Sequence, residues 1–353
     1  MLTKPASQNP PPDTIVFTHP QPPAPGTTVE VAPGVLWVQL ALPFRLNHVN
    51  VYLIDDGDGF ALVDTGLGDK ATQAAWEKLF AGPLAARKLT RIIATHFHPD
   101  HVGAAGFLLQ RFDVPLYMAA TEYLQSLTIK LDPGALEAAH YRRFYLEHGL
   151  AAEATQRVVT SGHHYLKLTT GLPPVYHRVV AGDVLRIGGR DFEVLTGGGH
   201  SPEEVMLVCR AEKLFFAADQ VLAKISPNVS VHALDPQGDP LGQYLRSLTA
   251  LKRGVAEDVA VLPGHNLPFR GLHRRIDELI AHHEARCGLI LSACRSAPRS
   301  AAELIPFVFS RELDPHQTGF AFSEVLAHVN YLLRLGKLKA VETADGIDRT
   351  VAA

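Results

Sequence analysis

Four short apolar segments, well separated along the chain, each end in a histidine or an aspartate. They are RIIATH at 91–96, DFEVLTGGGH at 191–200, KLFFAAD at 213–219 and VAVLPGH at 259–265. Apolar runs of this length, followed by turn residues, are typical of buried strands. Ligands commonly bind beyond the carboxyl ends of the strands in an α/β sheet. We therefore expect a sheet-based fold that gathers these polar residues at one edge.

The most crowded of these strand ends is the stretch THFHPDHVG at residues 95–103. His96 and His98 are two positions apart, so their side chains point the same way if the chain stays extended. Asp100 and His101 follow a proline that turns the chain. Imidazole and carboxylate groups together suit zinc and related divalent ions. This stretch therefore predicts a metal site.

The distribution of apolar runs and prolines divides the 353-residue chain. Residues 1–27 form a Pro-rich arm that we expect to be extended or disordered. Residues 28–285 alternate short strands with helices, as in a sheet covered by helices. Within them, residues 119–170 predict an insert of two or three helices. Residues 286–353 predict a small helical domain that ends in a short hairpin.

Composition sets limits on the partners and location of the chain. The formal net charge is −3, which gives no global reason to expect nucleic acid as a partner. No apolar run approaches the roughly 18 residues of a membrane span, and the first residues lack the apolar core of a signal peptide. Three widely spaced cysteines do not form a disulfide framework. These features predict a cytoplasmic protein that acts on a small molecule away from the membrane.

A family resemblance connects the four strand ends. The motif HxHxDH, followed by GHS, by an aspartate after an apolar strand and by GH after another, resembles the metallo-β-lactamase-fold superfamily over about residues 29–285. The resemblance implies an α+β fold, a four-layer αββα sandwich with a two-metal cleft at one edge of two packed sheets. The tail is similar to the winged-helix-like tail of a broad group of bacterial hydrolases in that superfamily.

The resemblance also assigns ligands for two divalent metal ions, with zinc favoured and iron or manganese as alternatives. The implied ligands are His96, His98 and His200 for the first ion, Asp100, His101 and His265 for the second, and Asp219 as a bridge between the two ions. A hydroxide held between two metals is nucleophilic at neutral pH, because bound metal lowers the pKa of water to about 7.

Two aspartates are assigned roles beside the implied metals. Asp100 can orient the attacking hydroxide and accept its proton, so we predict it to be catalytic. Asp64, in LVDTG, matches a superfamily position that usually supports the ligands without binding metal. An equally simple interpretation is that Asp64 is a turn residue before Gly66.

Three functions remain open at this stage, because a fold does not determine a reaction. The first is hydrolysis of a small ester, thioester or lactone. The second is phosphodiester or RNA hydrolysis at the same two metals. The third is a mononuclear iron persulfide dioxygenase, which would use only His96, His200 and Asp219.

Candidate substrate contacts lie in the insert and after two ligand positions. The insert contains GHHYLKL, in which His163, His164 and Tyr165 either cap the cleft or simply end a helix. Lys224 and Arg270 each follow a predicted ligand by five residues. Each could hold a substrate carboxylate or phosphate, although an ordinary solvated surface position explains them equally well.

The C-terminal tail does not have the charge pattern of a nucleic-acid-binding surface. Residues 299–341 contain five basic and four acidic side chains, which is no phosphate-binding face. The segment SEVLAHVNYLLRL has apolar residues three and four positions apart. We therefore expect this helix to pack on the sandwich or on a second copy in a homodimer.

Overall fold

A computed structural model of the protein describes residues 14–132, 139–161, 164–341 and 343–353. The strands in chain order are β1 (Val16–Phe17), β2 (Val29–Ala32), β3 (Val35–Ala41), β4 (His48–Asp56), β5 (Gly59–Val63), β6 (Lys88–Ile93), β7 (Leu116–Met118), β8 (His177–Arg178), β9 (Val184–Ile187), β10 (Arg190–Gly197), β11 (Glu204–Cys209), β12 (Leu214–Ala218), β13 (Ala260–Pro263), β14 (Phe269–Arg270), β15 (Leu338–Val341) and β16 (Arg349–Ala352). The helices are α1 (Lys70–Ala81), α2 (Pro99–Val102), α3 (Ala105–Phe112), α4 (Ala120–Leu131), α5 (Ala139–Glu147), α6 (Ala152–Ser161), α7 (His164–Lys167), α8 (Pro240–Gly254), α9 (Leu272–Ser296), α10 (Ala301–Val308) and α11 (Pro315–Arg334).

Two seven-stranded sheets form the centre of the molecule. One has the order β2-β3-β4-β5-β6-β7-β8 and the other β1-β14-β13-β12-β11-β10-β9. The sheets share an apolar core, in which the rings of Tyr52 and Phe216 meet edge to face with centroids 5.5 Å apart. Strand β1 lies within the Pro-rich N-terminal arm, and it pairs with β14.

Helices cover the outer face of each sheet. Trp76 and Leu79 of α1 are fully buried in a core shared with the first sheet. Tyr244 of α8 and Ile276 of α9 are buried in a core shared with the second sheet. The apolar faces of the strands and of the amphipathic helices are thus buried against each other on both sides of the sandwich. The predicted αββα architecture is confirmed.

The insert between β7 and β8 contains four helices in its described part, α4 to α7, rather than the predicted two or three. The additional one is α7, which has only four residues. A single turn is too short to show a helical period in the sequence. Within the described residues, no helix is both long enough and apolar enough to cross a lipid bilayer.

The C-terminal region consists of helices followed by a hairpin of β15 and β16. The 25-residue helix α9 runs through residue 285, so the predicted domain boundary falls inside a continuous helix. Helix α11 begins with a capping box, in which Asp314 and Gln317 each bond the backbone of the other. Its predicted apolar stripe is buried against neighbouring helices of the same chain. The stripe consists of Phe322, Val325, Leu326, Val329 and Leu332, which are buried, and of Leu333, which is half-buried.

A buried histidine pair joins α9 to α11. The Nδ1 of His328 donates a hydrogen bond of 2.7 Å to the carbonyl oxygen of Glu324. Its Nε2 can therefore accept from the Nδ1 of His283, 3.1 Å away. The Glu324 carboxylate is paired with Arg286. The pKa of His328 is lowered to about 4, mainly by burial. Burial, the neighbouring histidine rings and Arg286 together lower the pKa of His283 to about 2.

This pair predicts acid sensitivity of the fold. Both histidines stay neutral in the folded protein, while the unfolded chain takes up protons below its pKa of 6.5. The stabilisation is therefore complete above pH 6.5 and falls as the pH drops toward 4, by about 1.4 kcal/mol per pH unit for each histidine. Urea unfolding of His328→Ala should show a shallower loss of stability below pH 6.5 than the wild type. His177→Ala, which removes an exposed ring, is the control, and equal slopes in all three proteins would contradict this role.

Candidate metal centre

The first ligand loop follows β6. The chain has no regular secondary structure from Ala94 to His98, bends at Phe97, and then turns into α2, whose first residue is Pro99. The Nε2 of His96 and the Nδ1 of His98 lie 2.9 Å apart. Proline is favoured at the first helical position, where its fixed φ suits the helix and its missing N–H is not needed. The short helix then carries Asp100 and His101 in its first turn.

The other three loops bring one ligand each to the same edge. His200 follows β10, Asp219 follows β12, and His265 follows β13. Gly199 has φ of 111°, and a Cβ there would lie 2.4 Å from the Cβ of Tyr244. Gly264 is equally constrained, because its Cβ would lie 2.3 Å from the Oδ1 of Asp219. Glycine therefore lets the backbone pass close behind the ligands.

The seven side chains form two groups that share one carboxylate. In the first group, the Nδ1 of His98 lies 3.0 Å from the Nε2 of His200, beside His96. In the second, the Oδ2 of Asp100 lies 3.7 Å from the Nε2 of His101 and 3.4 Å from that of His265.

Asp219 stands between the two groups. Its Oδ2 is 3.4 Å from the Nε2 of His200 and 3.2 Å from that of His265, while its Oδ1 is 3.5 Å from the Nε2 of His101. Asp219 thus touches ligands of both groups, which is the arrangement that the resemblance implies for a bridging residue.

The carboxylates draw positive charge toward this centre. Burial opposes charge on every group here, and it lowers the pKa of His96 and His98. At His200 and His265 burial also lowers the pKa, but the attraction of neighbouring acceptors together outweighs it, Asp219 with Glu204 at His200 and Asp219 with Asp100 at His265, so that the pKa rises to about 9 and about 10. The same attraction keeps the pKa of Asp219 well below its usual value.

The donor set fits divalent metal ions. Within the described residues, the Nε2 of His101 and the Oδ1 of Asp219 are buried without any hydrogen-bond partner. Buried polar atoms normally have a hydrogen-bond or metal partner, so these two atoms require a partner that is not a protein atom. Imidazole nitrogens and carboxylate oxygens are the ligands that zinc and similar ions prefer.

At three of the predicted ligands, His101, His200 and His265, the second ring nitrogen has an acceptor that orients the ring. Asp64, with φ of 60°, accepts from the Nδ1 of His101 at 2.8 Å and from the backbone N–H and hydroxyl of Thr95. The Nδ1 of His200 donates to the carbonyl of Asn228 at 2.8 Å, and that of His265 to the carbonyl of His48 at 2.7 Å. Such partners fix the ring orientation and the tautomer of a ligand.

Two buried glutamates at the site were not predicted from the sequence. Glu204 accepts from the backbone N–H of Asp219 at 2.7 Å, and its Oε1 lies 3.5 Å from the Nδ1 of His96. Burial raises the pKa of Glu204 to about 8. The signal in the sequence was an acidic residue that begins an otherwise apolar strand, EVMLVC.

Glu122 is the second, and it comes from the insert helix α4. One carboxylate oxygen accepts from the backbone N–H of Phe97 at 3.0 Å. The other accepts from the hydroxyl of Ser201 at 2.8 Å and from the N–H of Glu203 at 2.6 Å. Glu122 therefore ties the loop of His96 and His98 to the loop of His200.

Replacing Glu122 with glutamine should loosen both loops. Both oxygens of the Glu122 carboxylate accept a hydrogen bond from a backbone N–H. A glutamine would replace one of these oxygens with an NH₂ group, so in either orientation of the amide two donors would face each other. A buried unsatisfied donor costs about 1–3 kcal/mol, and disturbed ligand support typically lowers metal affinity about 10- to 100-fold. Unfolding curves and competition with a metal chelator measure both effects. Glu77→Gln, at an exposed ion pair of α1 with Arg111, is the control. Unchanged metal affinity would contradict the role of Glu122.

The candidate substrate contacts lie in different places. The hydroxyl of Tyr165 donates to the carbonyl of Phe97 at 2.7 Å, so it supports the first ligand loop. The ammonium group of Lys224 lies over the Phe17 ring, and Arg270 is exposed with its guanidinium on the carbonyl of Asp258. His163 and the side chain of His164 lie outside the described part of the chain.

A cavity of about 280 Å³ opens beside the first ligand group. His98 and His200 form part of its wall, together with residues of α4 and of the loop that precedes α8. Tyr165, Lys224 and Arg270 do not line it. A reacting group held at the metal centre can therefore extend into a space built from other residues.

Comparison with known proteins agrees with this geometry. Residues 45–265 match the description "Metallo-beta-lactamase superfamily", and residues 287–353 match "Metallo-beta-lactamase-like, C-terminal domain". The crystal structure of a β-lactamase domain protein from Burkholderia ambifaria is 38% identical with a TM-score of 0.89, and the match covers 96% of this chain and 98% of that one.

Two curated relatives are more distant. A probable metallo-hydrolase of Bacillus subtilis is 23% identical over 84% of this chain and 92% of its own. The human acyl-coenzyme A thioesterase MBLAC2 is 25% identical over 80% of this chain and 95% of its own. The chain belongs to the metallo-β-lactamase superfamily of metal-dependent hydrolases.

Proposed function

We propose that this protein is a dinuclear metal hydrolase that cleaves small acyl thioesters. The observation that carries the proposal is the shared position of Asp219 between two complete ligand groups. A mononuclear iron dioxygenase would need only His96, His200 and Asp219, which would leave the other four residues, His98, Asp100, His101 and His265, without iron. The likeness to an acyl-coenzyme A thioesterase supports a thioester over the ester and lactone alternatives.

The side chains of the site have distinct roles in this proposal. His96, His98 and His200 would hold one ion, Asp100, His101 and His265 the other, and Asp219 both. Two bound divalent ions supply Lewis acidity, which activates water near neutral pH and polarises the scissile carbonyl. The carboxylate of Asp100, whose side chain is 19% exposed, faces the open side of the centre. It would orient the attacking water and accept its proton.

The proposal predicts two metal equivalents per chain, with zinc bound most tightly. Elemental analysis of protein purified without added metal measures the content, and removal by a chelator should abolish hydrolysis until zinc is restored. A panel of acyl thioesters, lactones and phosphodiesters identifies the reaction. A single iron with sulfur-dependent oxygen uptake would establish the dioxygenase instead. Preferred cleavage of phosphodiesters or RNA would establish the nuclease alternative.

We also propose that the C-terminal region, α9 to α11 with the hairpin β15–β16, is a winged-helix-like domain that serves packing. Helices followed by a hairpin are consistent with that topology, and the apolar stripe of α11 is buried within the same chain. A homodimer would then need another surface. Sedimentation analysis of the intact chain tests this point, since a stable dimer that dissociates when α11 is altered would favour packing between copies.

A further inference from the structure

The cavity beside His98 and His200 has an acidic wall. The loop that precedes α8 contributes Asp235 and Asp239 to its lining, and no lysine or arginine is among the described lining residues. The remaining polar groups of the wall are uncharged amides and hydroxyls, such as those of Gln125 and Gln243, together with His232. A group that enters from the metal centre therefore meets negative charge.

The two aspartates are not equivalent. Asp239 caps α8 by accepting from the N–H of Gly242 at 2.9 Å, and Arg246 approaches its carboxylate to 3.5 Å. Asp235 is exposed, and within the described residues no lysine or arginine pairs with its carboxylate. The charge of Asp239 is thus partly balanced by Arg246, whereas Asp235 lines the cavity without a basic partner among the described residues.

The loop that carries Asp235 is held in place by the C-terminal helix. The side-chain amide of Asn330 in α11 donates to the carbonyls of Pro236 and Gly238, each at 3.0 Å. The N–H of Gly238 in turn donates to the carbonyl of Asp235 at 3.0 Å. A charge on a fixed loop distinguishes between ligands better than a charge on a mobile loop, because the fixed loop loses less conformational freedom on binding.

We propose that this cavity receives the acyl group of the substrate and that Asp235 makes it reject acyl groups ending in a carboxylate. Acyl groups ending in a methyl or an ammonium group are accepted. This inference rests on the proposed hydrolase function, and it specifies which terminal groups the acyl part of the substrate can have. Like charges about 6 Å apart repel enough to change affinity by about threefold at the dielectric constant of water and by about a hundredfold at the effective value of about 20 near a protein surface, and we expect about tenfold for this exposed aspartate. Asp235 is thus a specificity-determining residue.

The test uses binding, so that it does not depend on turnover. Three hydroxamates of equal chain length share a metal-binding head and end in a methyl, a carboxylate or an ammonium group. Calorimetry with the zinc-loaded protein should give the carboxylate compound about tenfold weaker affinity than the methyl compound. In Asp235→Asn this difference should shrink to about threefold or less, and high salt should reduce it in the wild type. Asp58→Asn, with the same change in net charge at an exposed hairpin, should behave as the wild type.

The outcomes separate this inference from the proposed function. Equal affinities for the three compounds, or an unchanged preference in Asp235→Asn, would overturn the role of Asp235 even if thioesters are cleaved. No binding of any hydroxamate would show that the cavity does not receive groups held at the metal centre. If the protein binds the carboxylate hydroxamate more weakly as predicted but cleaves no thioester, the proposed reaction is refuted and the selection against carboxylates by Asp235 is supported.

Discussion

Asp100→Asn should lose about 10²-fold or more in turnover while the protein keeps its fold. Asparagine preserves the shape of the side chain but removes both its charge and its basicity. The Oδ2 of Asp100 lies within 3.4–3.7 Å of the Nε2 atoms of His265 and His101, so the second ligand group loses its own carboxylate. Binding of the second ion and activation of water should both suffer.

Metal analysis and steady-state kinetics on the same preparations separate the two effects. A loss of turnover that excess zinc restores would mean that Asp100 acts mainly as a ligand. A loss that persists with both ions bound would mean that it acts as a proton acceptor. Asp113→Asn is the control, because Asp113 is exposed and has φ of 49°, a conformation that asparagine adopts readily. Wild-type turnover in Asp100→Asn with two metals bound would show that Asp100 has neither role.

The seven predicted ligands could be located because they lie at four strand ends that each have a clear local pattern. An apolar strand that ends in histidine or aspartate is visible within ten residues, as for His200 after DFEVLT. The apolar periods of the strands and helices predicted a sheet covered by helices, and the family resemblance implied the two-sheet sandwich. Such patterns depend on neighbours in sequence, and they locate a residue without showing what it touches.

The supporting role of Asp64 was predicted from the resemblance as one of two interpretations, whereas the supporting residues Glu122 and Glu204 could not be predicted because their contacts are distant in sequence. Glu122 bonds Phe97 and Ser201, which are 25 and 79 positions away. Nothing in the stretch TEYLQ shows that its glutamate is fully buried beneath two ligand loops. Tyr165 is a related case: the sequence left open whether it caps the cleft or simply ends a helix, and its hydroxyl reaches the carbonyl of Phe97, 68 positions away.

The C-terminal helix is linked to the metal centre by the loop that it holds. The N–H of Val231 donates to the carbonyl of Ser323 in α11 at 3.1 Å, and Asn330 anchors the same loop at Pro236. Three residues before Val231, the carbonyl of Asn228 accepts the hydrogen bond that orients His200. The region therefore affects the site although it supplies none of the seven predicted ligands.

Deleting residues 286–353 should accordingly destabilise the protein even though all seven ligands remain. The deletion cuts α9 in its middle and exposes the apolar surface that α11 covers. Each fully buried apolar side chain of that stripe is worth about 1.5–3 kcal/mol, and a typical domain has only about 5–15 kcal/mol of stability. We expect aggregation in size-exclusion chromatography and weaker retention of zinc.

A matched pair of point variants tests the same argument without cutting the chain. Phe322 is fully buried against Phe144 and Tyr145, whereas Phe320, on the same helix, is 49% exposed. Phe322→Ala should lower the free energy of unfolding by about 3–5 kcal/mol, and Phe320→Ala should change it far less. Similar losses in the two variants, or a truncated protein that stays monomeric and stable, would contradict the packing role.

Submicromolar, salt-sensitive RNA binding that disappears on truncation would instead support the ribonuclease alternative, because phosphate contacts weaken steeply with salt.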